Sequence, residues 1–170
     1  MYGKPNGDWV YTPYIKNHGD AGKYNVHVYA TGVTGTSVFV GGTTFEITKP
    51  VAEDVRVENV DNGKGTFDVV AEGIRTPSGI DKVEVAVWST DDRSDFVWYT
   101  MEKQADGSYK KSVSIADHQY NYGKYNAHVY VTAGNGVYQC LGTRTVEVNL
   151  PKASVKAVIN AQEMSVGITA

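Results

Sequence analysis

The chain has 170 residues, a formal net charge of -3, 41% hydrophobic and 21% charged residues, the balance of a folded protein rather than a disordered tail. Its 16 Lys and Arg residues are scattered, which argues against a nucleic-acid partner, because a phosphate-backbone binder concentrates basic charge on one surface. No apolar run approaches the roughly 20 residues of a membrane helix, so no membrane insertion is expected, and the single cysteine, Cys140, has no internal partner for a disulfide.

Twelve Tyr and 18 Gly, with abundant Val and Thr, suit short strands joined by tight turns. Met1 to Pro5 has neither the basic start nor the apolar stretch of a signal peptide, so a secretion signal is expected outside this piece. Val55 and Val57 open an edge strand, and Thr66 to Ala71 follows the turn-rich Asp61 to Gly65. Lys82 to Trp88 alternates, with Val83, Val85 and Val87 on one face and Glu84, Ala86 and Trp88 on the other. One strand is predicted over Phe96 to Lys103, a turn at Ala105 to Ser108, and further strands over Ser108 to Ile115, Lys124 to Thr132 and Val137 to Val148. About seven short strands with regular turn signals predict an all-β, Ig-like antiparallel β-sandwich without a disulfide.

The chain also repeats itself. Gly22-Lys23-Tyr24-Asn25-Val26-His27-Val28-Tyr29 returns as Gly123-Lys124-Tyr125-Asn126-Ala127-His128-Val129-Tyr130 with one difference. Ile15 and His18 correspond to Ile115 and His118, and Thr44 to Ile47 corresponds to Thr145 to Val148. In the tail, Ser154 to Ala157 resembles Asp54 to Val57, and Ser165 to Ala170 resembles Thr66 to Ala71. A period of about 100 residues is the size of one sandwich domain. The expected organisation is the C-terminal half of one repeat over 1–49, a complete repeat over 52–149 and the opening strands of another over 153–170. The two half-repeats would each expose an apolar face and unpaired edges, and neighbouring repeats, in the same or another molecule, are their expected partners.

Tyr24 and Tyr125 stand where a tyrosine corner enters strand F of immunoglobulin folds. Val26 and Ala127 then take the place of the second cysteine of antibody domains, so apolar packing is expected there.

The complete unit resembles the Bsp-like repeat family of secreted proteins from streptococci and related Gram-positive bacteria. Asp106 to Tyr109, Ile115 to His118 and, most specifically, Tyr122 to Tyr130 carry the resemblance, which spans the central 100 residues and the flanks in part. It implies a secreted or cell-wall location and a noncatalytic accessory role, in tandem beside peptidoglycan hydrolases or other wall modules. It brings no catalytic residue, cofactor or metal ligand.

Among candidate sites, Trp88, Trp98, His128 and Tyr130 fall on the face opposite the valines. Such aromatics suit the C–H faces of sugar rings, pointing to cell-wall polysaccharide or peptidoglycan. The ordinary alternative is that Trp88 and Trp98 close the sandwich rim or form cross-strand pairs, with the module serving as a spacer. A protein on host or neighbouring cells is the other partner this face, or an exposed edge, would suit. His27 and His128 lack companions with metal-ligand spacing, so a cross-strand hydrogen-bonding role is expected. Cys140 matches Phe39 of the earlier segment, as a packed strand position would, with no base or electropositive setting to activate it. Asp91-Asp92-Arg93-Ser94-Asp95 lacks EF-hand spacing and reads as a solvated loop.

Overall fold

A computed structural model describes residues 1–152, 156–160 and 165–169. In chain order the strands are β1 (Tyr2–Gly3), β2 (Trp9–Val10), β3 (Gly22–Thr31), β4 (Ser37–Ile47), β5 (Asp54–Asp61), β6 (Thr66–Glu72) and β7 (Ile80–Trp88). β8 (Val97–Thr100), β9 (Glu102–Lys103), β10 (Tyr109–Ser114), β11 (Gly123–Ala133), β12 (Tyr138–Val148), β13 (Lys156–Asn160) and β14 (Ser165–Thr169) follow. The only helical turns among the described residues are short 3-10 segments at Ile15–Asn17 and Ile115–His118.

Residues 54–148 form two four-stranded sheets, ordered β5-β6-β10-β9 and β12-β11-β7-β8, with every pair antiparallel. This is the immunoglobulin-like division into a sheet of first, second, fifth and fourth strands and a sheet of seventh, sixth and third strands. The inner faces meet in one core, with Val55, Phe67, Val69, Ala71 and Val113 from one sheet and Val83, Val85, Val87, Ala127, Val129 and Val131 from the other. β-branched residues at every second position bury one side of a strand and leave the other free for a different chemistry. Where antibody domains carry a disulfide, Ala127 is fully buried in this apolar cluster.

At the entrance to β11, Tyr125 is 0% exposed and its hydroxyl donates to the Asn121 carbonyl at 2.7 Å, the geometry of a tyrosine corner. Tyr24 repeats it in the earlier segment, donating to the Asp20 carbonyl at 2.8 Å. The likeness extends to backbone detail. β3 and β4 break register between Val28 and Tyr29, skipping Val40, as β11 and β12 do between Val129 and Tyr130, skipping Leu141. β13 and β14 pair Lys156 with Thr169, Ala157 with Ile168 and Val158 with Gly167. The similar residues of β5 and β6 pair alike: Arg56 with Val70, Val57 with Val69, Glu58 with Asp68. Ser154, Val155 and Ala170 of that predicted match lie outside the described residues.

The single strand predicted over Phe96 to Lys103 is divided between the sheets. Val97–Thr100 pairs with β7, whereas Glu102–Lys103 pairs with β10 opposite. Met101, buried between them, donates its N–H to the Val83 carbonyl at 2.9 Å. An extended backbone looks the same in sequence whichever neighbour it pairs with. The strand predicted to end at Ile115 stops at Ser114, whose hydroxyl accepts from the Ala116 N–H and starts the 3-10 turn.

Candidate functional site

The two outer faces differ in chemistry. On the β5-β6-β10 sheet, Arg56 contacts Asp54, Glu58 and Glu72 at 3.2, 3.1 and 2.6 Å, and Lys110 contacts Asp68 at 2.6 Å. That face is ionic, with both cations held among carboxylates.

The outer face of the other sheet is aromatic. On β7 the valines point inward, leaving Glu84, Ala86 and Trp88 outside; on β11 the burial of Ala127, Val129 and Val131 leaves Asn126, His128 and Tyr130 outside. Register sets Asn126 opposite Trp88, His128 opposite Ala86 and Tyr130 opposite Glu84, and Trp98 opposite Ala86 from the other side. The rings then make a continuous band. His128 meets Trp88 at 4.6 Å, Trp88 meets Phe96 at 5.7 Å and Phe96 meets Trp98 at 5.5 Å. Trp98 meets Tyr130 at 5.3 Å, and Tyr130 stacks on Tyr138 at 5.2 Å with planes 3° apart.

All four candidates, Trp88, Trp98, His128 and Tyr130, lie in this band, but their situations differ. Trp88 is only 8% exposed, beneath the Arg93 guanidinium at 4.7 Å and beside Phe96 and His128. It is a floor. Trp98 and Tyr138 are each 47% exposed and flank Tyr130. Those three rings are the part a ligand can reach.

Charge is kept low across them. Burial, and then the positive Arg93 nearby, hold His128 below the usual imidazole range, so at neutral pH it is an uncharged hydrogen-bonding ring. Burial pushes the Tyr130 hydroxyl up, with a contribution from Cys140; burial and then Glu84 do the same for Tyr138. Both phenols remain protonated donors. The result is a surface of uncharged rings edged by the two phenol hydroxyls and by the Glu84 carboxylate, which Lys82 pairs at 2.9 Å.

Phe96, Tyr138 and Arg93 were not singled out from sequence. Phe96 had a readable signal, since it shares strand parity with Trp98. Tyr138 had none, because the skipped Leu141 resets the parity of β12. Cys140 is half-buried opposite Tyr130, its Sγ 3.8 Å from the Gly142 carbonyl. His27, like His128, faces away from its valines and meets Phe39 at 5.6 Å.

The acidic loop divides in two. Asp91 and Asp92 are exposed, while Asp95 turns inward, accepting from the N–H groups of Ser89 and Thr90 and from both their hydroxyls. Burial pushes its carboxyl up, but those hydrogen bonds outweigh burial and hold it at about 2. No group of three His, Cys, Asp or Glu among the described residues is placed to hold a metal ion. The Asp95 backbone carbonyl accepts from Nδ1 of His118, which is 0% exposed, at 2.7 Å. Nε2 of His118 then faces the Tyr99 hydroxyl at 2.9 Å, itself 3.1 Å from the Asp117 carboxylate. His118 packs edge-on against Tyr125 at 5.4 Å. This network ties the β7–β8 loop to the base of β11 and is fully satisfied, a structural role.

Among solved structures, the chain resembles a polysaccharide deacetylase from Bacillus cereus at 8% identity and TM-score 0.47, over 62% of this chain and 31% of that one. A tetra-tandem repeat in the extending region of a large adhesion protein aligns at 15% identity and TM-score 0.46, over 88% and 38%. The third fibronectin III domain of the human KIAA0343 protein aligns at 12% identity and TM-score 0.43, over 61% and 84%. The chain spans about a third of the length of the first two, and likeness at this level carries no functional argument. No curated protein matches the chain. The sequence profile of the GBS Bsp-like repeat, by contrast, matches residues 56–146, the span from β5 to β12 that closes the sandwich. Over more than half its length, then, the chain belongs to the GBS Bsp-like repeat family, noncatalytic repeats that occur in surface proteins of Gram-positive bacteria.

Proposed function

We propose that the chain is a glycan-binding module of a secreted, cell-wall-associated protein, built from tandem repeats with units at 1–49, 52–149 and 153–170. It holds cell-wall polysaccharide or peptidoglycan against Trp98, Tyr130 and Tyr138. The observation that carries the reading is the convergence of these rings on one outer face while the other outer face is ionic, its cations paired with carboxylates. A spacer needs no such asymmetry. Stacking suits the task because aromatic faces shed water at little entropic cost and grip the C–H side of a pyranose without selecting its charge. The matching β-bulges and the shared register of β5–β6 and β13–β14 support the repeat boundaries.

Retention of the purified chain on insoluble Gram-positive peptidoglycan tests the reading. The wild-type chain is expected to co-sediment, and Trp98→Ala with Tyr138→Ala is expected to remove most of it. Equal retention of both proteins, or none of either, overturns glycan binding. Capture of a host-cell surface protein by the same face would place the module among adhesins instead.

A further inference from the structure

The β3–β4 hairpin carries a second aromatic cluster on the face opposite Tyr24, Val26 and Val28. His27, Tyr29 and Phe39 are all exposed there; Phe39 meets His27 and Tyr29, each at 5.6 Å and edge-on. His27 and Tyr29 are the repeat counterparts of His128 and Tyr130, and Phe39 is that of Cys140, beside the matching register break. The cluster has its own cleared floor. A Cβ at Gly42 would come within 3.0 Å of the His27 ring, 3.6 Å of the Phe39 ring tip and 2.9 Å of the Val26 carbonyl. At the corresponding place in β12 stands Thr143, opposite His128. The earlier segment thus has a glycine and a phenylalanine where the central unit has a threonine and a cysteine, and the two differences together put a third ring on the surface. Asn25 and Thr44, paired on the adjoining rung, supply amide and hydroxyl groups at its border.

We propose that His27, Tyr29 and Phe39 form a second binding site for the class of ligand taken by the Trp98–Tyr130–Tyr138 platform, a pyranose-containing polysaccharide, and that the chain engages one polymer at both places. This rests on the glycan reading of the central unit. Two related aromatic faces on one chain fit a ligand that is itself periodic, because once the first site is occupied the second binds at a raised effective concentration. A single globular protein domain, by contrast, presents a given surface only once.

The test uses the full chain and two probes, insoluble Gram-positive peptidoglycan and a soluble disaccharide-peptide fragment released from it. Tyr29→Thr with Phe39→Val keeps β-branched residues in the hairpin. This variant is expected to lower retention on the insoluble polymer by about tenfold or more, the loss of avidity, while the tighter of the two affinities for the soluble fragment is unchanged. Gly42→Thr with Phe39→Cys, which installs the residues of the central unit, is expected to have the same effect. Far-ultraviolet circular dichroism matching the parent keeps a folding defect from passing as a binding loss. Wild-type retention by both variants, with Trp98→Ala and Tyr138→Ala still defective, overturns the second site alone. If Trp98→Ala with Tyr138→Ala retains as the parent does, the glycan reading falls, and this proposal with it. Equal losses on polymer and fragment also overturn it, since they place the hairpin inside a single site.

Discussion

Trp98 and Tyr130 stand on strands that never pair, yet their rings meet at 5.3 Å. β7 runs between β8 and β11, and strands two places apart are separated by about 10 Å. The rings close that gap by leaning over β7. There Ala86, opposite both Trp98 and His128 and only 2% exposed, offers a methyl group where any larger side chain would stand in the way.

Ala86→Leu is therefore expected to part Trp98 from Tyr130. The core is untouched, because Ala86 faces outward, so the stability cost stays within about 1–2 kcal/mol, the lower range for overpacking. Tryptophan fluorescence should shift to the red as Trp98 is released into water, and retention on peptidoglycan should fall severalfold. A variant with unchanged emission and retention would show that the two rings do not depend on this gap.

Tyr125→Phe keeps the buried ring against Phe67 and His118 but removes the donor to the Asn121 carbonyl. A net hydrogen bond of this kind contributes about 1 kcal/mol, and the midpoint of urea unfolding is expected to drop accordingly with no change in slope. Tyr24→Phe, whose hydroxyl bonds in a more exposed setting, is expected to cost less. Equal effects at both positions would contradict the role assigned to burial.

Gly65 has φ +65°, and a Cβ there would lie 2.5 Å from Ile115 Cδ1. Gly65→Ala combines left-handed strain with overpacking, together about 2–4 kcal/mol. Calorimetric unfolding measures it. In an Ile115→Ala background, which lacks both Cδ1 and the Cγ1 at 2.6 Å, Gly65→Ala should cost less, since the clash is removed while the strain remains. An equal cost in both backgrounds would mean that backbone strain alone is responsible.

The Asp95 carboxyl sets an acid limit. Its native value of about 2 lies below the ordinary 3.8, so the native state binds this proton less readily than the unfolded chain. The stabilisation is complete above about pH 5 and is lost as pH falls from there through about 2, on the order of 2 kcal/mol in all. Asp68 is also lowered: burial opposes, but Lys110, Ser112 and Asn59 outweigh it, and it adds to the same slope. Unfolding free energy measured from pH 6 to pH 2 should therefore decline, and Asp95→Asn should start lower and decline less. A parallel slope in the variant would rule Asp95 out as the source.

The split between what was legible and what was not follows from range. Val83, Val85 and Val87 announced a half-buried strand, and Gly-Lys-Tyr-Asn at residues 22 and 123 announced a duplicated entry to a strand, because strand parity and turn chemistry are written in neighbouring residues. The same parity placed Trp88, Trp98, His128 and Tyr130 on one face. It could not separate the buried floor, Trp88, from the accessible surface, because that depends on Arg93 and Phe96 folding over the indole. Nor could it see β8 and β9 part company at Met101, since an extended chain gives no sign of which sheet will pair with it.

By itself, then, the sequence determined an antiparallel, valine-cored sandwich with Trp88, Trp98, His128 and Tyr130 on the face away from the valines. The tertiary structure alone decided that Tyr138 joins Tyr130 through the break at Leu141, that Ala86 lets rings meet across a strand, and that one outer face is ionic and the other aromatic. The first set follows from a two-residue backbone period that every strand carries locally. The second follows from strand order and register, which are set by packing between residues tens of positions apart.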